Sequence, residues 1–211
     1  MFENRKDAGR QIAQALGEYK DADVLVLAIP KGGVEVGYEV AKYLNAEFSV
    51  LMARKLPFPD EPEAGFGAVA EDGTTFIYDD AMKWVNKEVI ERIVGEQKKE
   101  IKRRISVLRG SKPLPEIENR VVILVDDGIA MGSTMRVAIQ LCKKCCARKI
   151  IVAVPVAGRK TAQEIGQMVE QILVLEQPPF FHAVAQVYKN WYDVSDEEVV
   201  EIMKKLKAYR Y

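Results

Sequence analysis

The chain has 211 residues, 48% apolar and 29% charged, and its 31 Lys and Arg balance 31 Asp and Glu, so no global field steers it toward nucleic acid or anionic lipid. Its longest apolar runs, VLVLAI at 24–29 and VVILV at 121–125, are far short of the roughly 20 residues that a membrane span needs. The opening MFENRKDAGR carries charge at once and does not read as a signal peptide, and three cysteines on one segment argue against a disulfide framework; a cytoplasmic protein is expected.

Residues 4–19 place Ala8, Ile12, Ala15, Leu16 and Tyr19 at helical spacing with Asn4 as N-cap. DVLVLAIP (23–30) is a continuous apolar run ending in Pro, which suits a strand buried on both faces. KGGVEVGYEVAKYLN (31–45) begins with glycines and continues as a helix, and EFSVLMARK (47–55) reads as the next strand. That β-loop-α-β order builds a parallel sheet. LPFPDEPEAGF (56–66), with three prolines, excludes a regular element, while GAVAEDGTTFIY (67–78) reads as a hairpin around Glu71-Asp72-Gly73. A long helix is expected over about 80–109, and its EQKKEIKRR segment reads as a solvated face of paired charges rather than a nucleic-acid contact. Strand 121–125, a helix over about 133–146, strand 149–157, helix 159–168 and strand 171–176 follow. Residues 177–194 are irregular and aromatic-rich, and Ser195 and Glu198 form a capping box for a last helix. The expected architecture is a single doubly wound α/β domain over 1–211. It has a mostly parallel sheet, a lid insertion at about 56–78 and a small C-terminal hood at about 177–194.

The chemistry concentrates in VVILVDDGIAMGST (121–134). A buried strand ends in two carboxylates, and a glycine-containing turn leads straight into a helix. Free amides at that helix N-terminus suit a phosphate. Gly128 and Gly132 permit close approach, and Ser133 and Thr134 add hydroxyls. Asp126 and Asp127 repel the phosphate and suit the vicinal hydroxyls of a sugar, or Mg²⁺ through water. Neither the Walker nor the Rossmann glycine spacing is present.

This segment resembles the phosphoribosyl-diphosphate (PRPP) motif of the type I phosphoribosyltransferases. The closest resemblance is to an uncharacterised group that also carries PKGGV (30–34), RK (54–55), GAVAEDG (67–73) and VSDEEV (194–199), so the likeness spans nearly the whole chain. It implies a Mg²⁺-dependent enzyme of nucleotide metabolism that displaces pyrophosphate from PRPP with a nucleobase or amine acceptor. By the resemblance, Asp126 and Asp127 hold the ribose diol and, through water, the metal. Residues Ala130, Met131, Gly132, Ser133 and Thr134, following Gly128 and Ile129, hold the 5′-phosphate. Pro30-Lys31-Gly32-Gly33 forms the diphosphate turn, where relatives often have a cis peptide, and Arg54 and Lys55 complete the cationic clamp. Residues 56–75 close as a lid, and Tyr188, Trp191 and Tyr192 fall in the hood that covers the base. A homodimer is the family's habit.

Two departures bear on activity. Ala130 stands where hypoxanthine-type relatives place a general-base Asp, which leaves the lid carboxylates Glu61, Glu63, Glu71 and Asp72 as substitutes or as plain solvated charges. Met131 stands where Thr is common, which removes one phosphate donor. The rival reading is a regulator that kept the PRPP or nucleotide site and lost the chemistry. Cys142, Cys145 and Cys146 lack the further ligands zinc requires, and half-buried reduced thiols are expected. His182 is expected to be a packed loop residue.

Overall fold

The computed structural model describes residues 1–209; residues 210–211 of the expected domain lie outside them. The central sheet has five strands in the order β2-β1-β6-β7-β8: β1 (Val24–Ala28), β2 (Glu47–Val50), β6 (Val121–Val125), β7 (Lys149–Val156) and β8 (Gln171–Glu176). Every pairing in it is parallel. β1 and β6 are buried along their whole length, because helices cover both faces of the sheet. Leu25, Leu27, Val122, Leu124, Val152 and Val154 face Met135, Ala138 and Leu141 of α4 (Ser133–Lys144). The alternate residues Val24, Val26, Ile123 and Ile151 face Ile12 of α1 (Arg5–Ala15) and Val36, Val40 and Leu44 of α2 (Gly33–Leu44). This side-chain alternation is what makes the fold doubly wound α/β.

A second sheet, β3-β4-β5, is antiparallel, with β3 (Ala53–Pro57), β4 (Gly65–Ala70) and β5 (Thr75–Ile77). It corrects two expectations. The single strand over 47–55 is two strands, because the backbone changes partners between Leu51 and Met52. The Leu51 amide donates to the Ala28 carbonyl at 2.9 Å, and the Met52 carbonyl accepts from the Glu71 amide at 2.9 Å. The irregular stretch is also shorter than the expected 56–66: β3 runs to Pro57 and β4 begins at Gly65, so only 58–64 connects them. The hairpin around Glu71-Asp72-Gly73 is present, with Gly73 at φ 88° and the Ala70 amide on the Thr74 carbonyl at 2.8 Å. Ala53, Ala68 and Ala70 let this sheet lie close on α4, so α4 is held between two sheets.

α3 (Lys87–Arg109) starts later than expected, capped by Asn86, which accepts from the Val89 amide at 2.9 Å; residues 79–83 form a separate 3-10 turn. α3 packs Ile93, Ile101 and Leu108 on Leu56 and Phe66, together with Val199 of α6 (Asp196–Tyr209). The Ser195–Glu198 capping box closes, with bonds of 2.7 and 3.1 Å. α5 (Arg159–Gly166) completes the fold. Among the described residues no helix is long and apolar enough to cross a membrane.

Candidate active site

β1 and β6 are neighbours, with Ala28 opposite Val125, and the chain runs outward from them in opposite directions. Their carboxyl ends therefore form the topological switch point of the sheet, where open α/β folds bind ligands. The turn after β1 contains the Pro30–Lys31 peptide, which is cis. A side chain at Gly32 would lie 1.8 Å from the Asp127 carboxylate, and one at Gly33 would lie 2.8 Å from Asp126 Cα. The two turns thus touch through glycines, and larger residues would push them apart.

Beside them is a cavity of about 540 Å³ lined by Asp126, residues 128–134, Lys55, Phe58, residues 63–65 and Val184. The helix α4 opens into it. Its N-cap, Gly132, is left-handed at φ 81° and no side chain caps the helix, so the first-turn amides remain available to an anion. Hydroxyls from outside hold the loop's carbonyls: Tyr78 donates to Met131 O at 2.7 Å and Thr161 to Ala130 O at 3.1 Å. The Met131 side chain is exposed.

The two acids separate. Asp126 faces the cavity, and its Oδ1 accepts from the Asp127 amide at 2.8 Å. Asp127 does not line it: its carboxylate accepts from Arg5 Nε at 2.8 Å, and its carbonyl from the Tyr188 hydroxyl at 2.7 Å. The structure thus holds the Asp127 carboxylate on a buried cation and leaves the Asp126 carboxylate at the cavity. Burial, then the charge of Asp127, raises the Asp126 pKa well above the ordinary carboxylate range. Burial also raises Asp127, opposed by Arg5.

The cationic clamp is divided as well. Adjacent residues of a strand point to opposite faces. Lys55 lines the cavity and donates to the Glu63 carbonyl. Arg54 turns toward α3, donating to Gln97 at 2.9 Å, and burial, then Arg104, lowers its pKa. Lys31 Nζ lies 4.0 Å from Asp196 Oδ1, whose other oxygen accepts from Arg103 at 3.1 Å.

Of the lid carboxylates, Glu71 is buried against Arg109 and Asp72 holds Lys144 and Thr74. Glu61 borders a separate hollow beside Trp84, and Glu63 borders the cavity. Tyr188 is buried, and the partly exposed Trp191 and Tyr192 engage Arg5 and Glu35. His182 is exposed, not packed; Cys142 is buried, while Cys145 and Cys146 are exposed free thiols. The sequence reading missed Arg5, Glu35, Tyr78 and Thr161. Of these, Glu35 lies two residues past Gly33 and Tyr78 ends the hairpin, so both stood close to the expected site in sequence.

The fold and the site define a protein that presents a helix N-terminus and a carboxylate at the switch point of a parallel sheet. The sequence model of the phosphoribosyl transferase domain matches residues 3–190. The chain belongs to that family of transferases. Two Mycobacterium tuberculosis proteins, from strains CDC 1551 / Oshkosh and H37Rv and provisionally named phosphoribosyl transferases, are each 36% identical over 207 residues. The match covers 97% of this chain and 47% of theirs, so the chain spans about half the length of these relatives. The crystal structure of TT1426 from Thermus thermophilus superposes with a TM-score of 0.81 at 32% identity, covering 97% of this chain and 98% of that one. A hypoxanthine phosphoribosyltransferase from Staphylococcus aureus matches with a TM-score of 0.50 at 12% identity over 82% of this chain and 74% of that one, a likeness of fold.

Proposed function

We propose that the protein transfers the ribose 5-phosphate group of PRPP to a nitrogen of a nucleobase or amine acceptor and releases pyrophosphate. The observation that carries this reading is the cavity in which the uncapped N-terminus of α4 and the Asp126 carboxylate meet. The amides of residues 132–134 would take the 5′-phosphate, and the Ser133 and Thr134 hydroxyls would add donors. Asp126 would hold the diol. The C1–O bond to diphosphate breaks as the C1–N bond forms, and the positive charge on the sugar peaks between the two events. Lys55 and Lys31 would neutralise the departing diphosphate. Glu63, on the cavity wall, would accept the acceptor's proton.

A magnesium site fits Asp126, since Mg²⁺ is commonly held by one carboxylate, waters and the substrate's own oxygens. Bound there, the ion would add positive charge on the leaving diphosphate. Loss of Asp127 and Arg54 to internal partners favours a second reading, a PRPP- or nucleotide-binding regulator with little transfer activity. Pyrophosphate release across a panel of bases, with calorimetric binding of PRPP with and without Mg²⁺, decides between them. Release with one base supports transfer; binding without release supports the regulator; no binding rejects both.

A further inference from the structure

The first residues of the chain lie on the hood. The Phe2 amide donates to the Val187 carbonyl at 2.6 Å, and the Lys189 amide returns to the Phe2 carbonyl at 2.9 Å. Asn4 then caps α1, and Arg5, its first residue, turns inward until only 3% of it is exposed. Its guanidinium reaches three separate parts of the site. Nε donates to Asp127 at 2.8 Å, and Nη1 donates to the Tyr192 carbonyl at 2.8 Å. The guanidinium carbon lies 3.9 Å from the centre of the Trp191 ring. Glu35, in the first turn of α2, stands 3.8 Å away and accepts the Tyr192 hydroxyl at 2.7 Å. Arg5 does not line the cavity.

A buried cation is costly, and apolar packing serves stability equally well. What an apolar side chain cannot do is hold several acceptors at set angles, which the planar fork of arginine does. The Asp127 carboxylate it holds occupies the space where a side chain at Gly32 would sit. Arg5 therefore fixes, through Asp127, the turn at 30–33, and through Tyr192 and Trp191 the hood.

We infer that Arg5 is a positioning residue that sets the Pro30–Gly33 turn for the diphosphate of the substrate while docking the hood. This role rests on the phosphoribosyl-transfer reading. It separates two ligands: ribose 5-phosphate needs the α4 N-terminus and Asp126, whereas PRPP needs the 30–33 turn as well.

The test is calorimetry of both ligands, with Mg²⁺, on wild type, Arg5→Ala and Arg5→Lys, beside thermal unfolding. Arg5→Ala is expected to bind PRPP at least about tenfold more weakly, the cost of one lost charged hydrogen bond. Its affinity for ribose 5-phosphate should fall clearly less, because Arg5 donates to Asp127 and Tyr192 and to neither Asp126 nor the first amides of α4. Arg5→Lys, which keeps the charge but cannot span Asp127 and Tyr192 together, should fall between, and it carries the test if Arg5→Ala does not fold. Equal losses for the two ligands, or no loss for either, overturn the inference. Wild type that binds neither ligand instead removes the transfer reading, and the role of Arg5 falls with it.

Discussion

Gly132→Ala probes the proposed phosphate loop most directly. The residue has φ 81°, a left-handed conformation that costs a residue with a Cβ about 1–2 kcal/mol. The added methyl would lie 2.9 Å from Thr161 Cγ2, 3.1 Å from Ile165 Cδ1 and 3.2 Å from Ile129 Cγ2. It would enter the interior between the loop and α5 rather than the cavity, so its effect on a ligand runs through displacement of the loop. Overpacking of this kind adds about 1–3 kcal/mol, for a total of about 2–5 kcal/mol. A domain with about 5–15 kcal/mol of stability still folds. In urea the unfolding midpoint should drop by about 1–2 M, and ribose 5-phosphate affinity should fall about tenfold as the first amides of α4 lose alignment. Gly95→Ala is the control: it lies within α3, its added methyl meets nothing within 4 Å, and it should stabilise by up to about 1 kcal/mol. If Gly132→Ala matches wild type in both midpoint and affinity, the loop is not held as described and the phosphate does not rest on it.

Asp127→Asn should lower stability by about 3 kcal/mol, because it leaves the Arg5 cation buried with a weakened partner; urea unfolding checks this, and an unchanged midpoint would deny the ion pair its role. Glu100 has its pKa lowered to about 2, chiefly by the hydrogen bond from Arg103. Its contribution is complete above its ordinary value of 4.5 and is lost as pH falls through about 2. Wild type should accordingly exceed Glu100→Gln in stability by a constant margin at neutral pH, and the margin should close in acid; a margin independent of pH contradicts the pairing. A thiol reagent should modify Cys145 and Cys146 quickly and Cys142 only on unfolding, since burial pushes the Cys142 thiol well up; mass spectrometry of the folded protein reads this directly.

The parallel sheet was legible because fully buried strands leave unbroken apolar runs, as at 24–29 and 121–125. The break between β2 and β3 was not, because VLMA continues apolar through residues 50–53 with no glycine or proline to mark the exchange of hydrogen-bond partners. The turn that opens α4 with an uncapped N-terminus was legible from glycine placement before a helix. The division of Arg54 from Lys55 follows from strand alternation once the strand is known to reach them. The fate of Asp127 had no local sign: Arg5 is 122 residues away in sequence, and its other acceptor, Tyr192, is 187 away from it. Such pairs are set by tertiary packing alone.

The small antiparallel sheet has a mechanical consequence. β3 continues directly from the main sheet, β4 rests on α4, and Tyr78 at the end of β5 grips the loop at Met131. The irregular backbone of this sheet is thereby confined to the tip at 58–64, whose Phe58, Glu63 and Ala64 line the cavity. A short flap on a stiff root would meter access, and swapping that tip between relatives should exchange entry rates while leaving the floor beneath untouched.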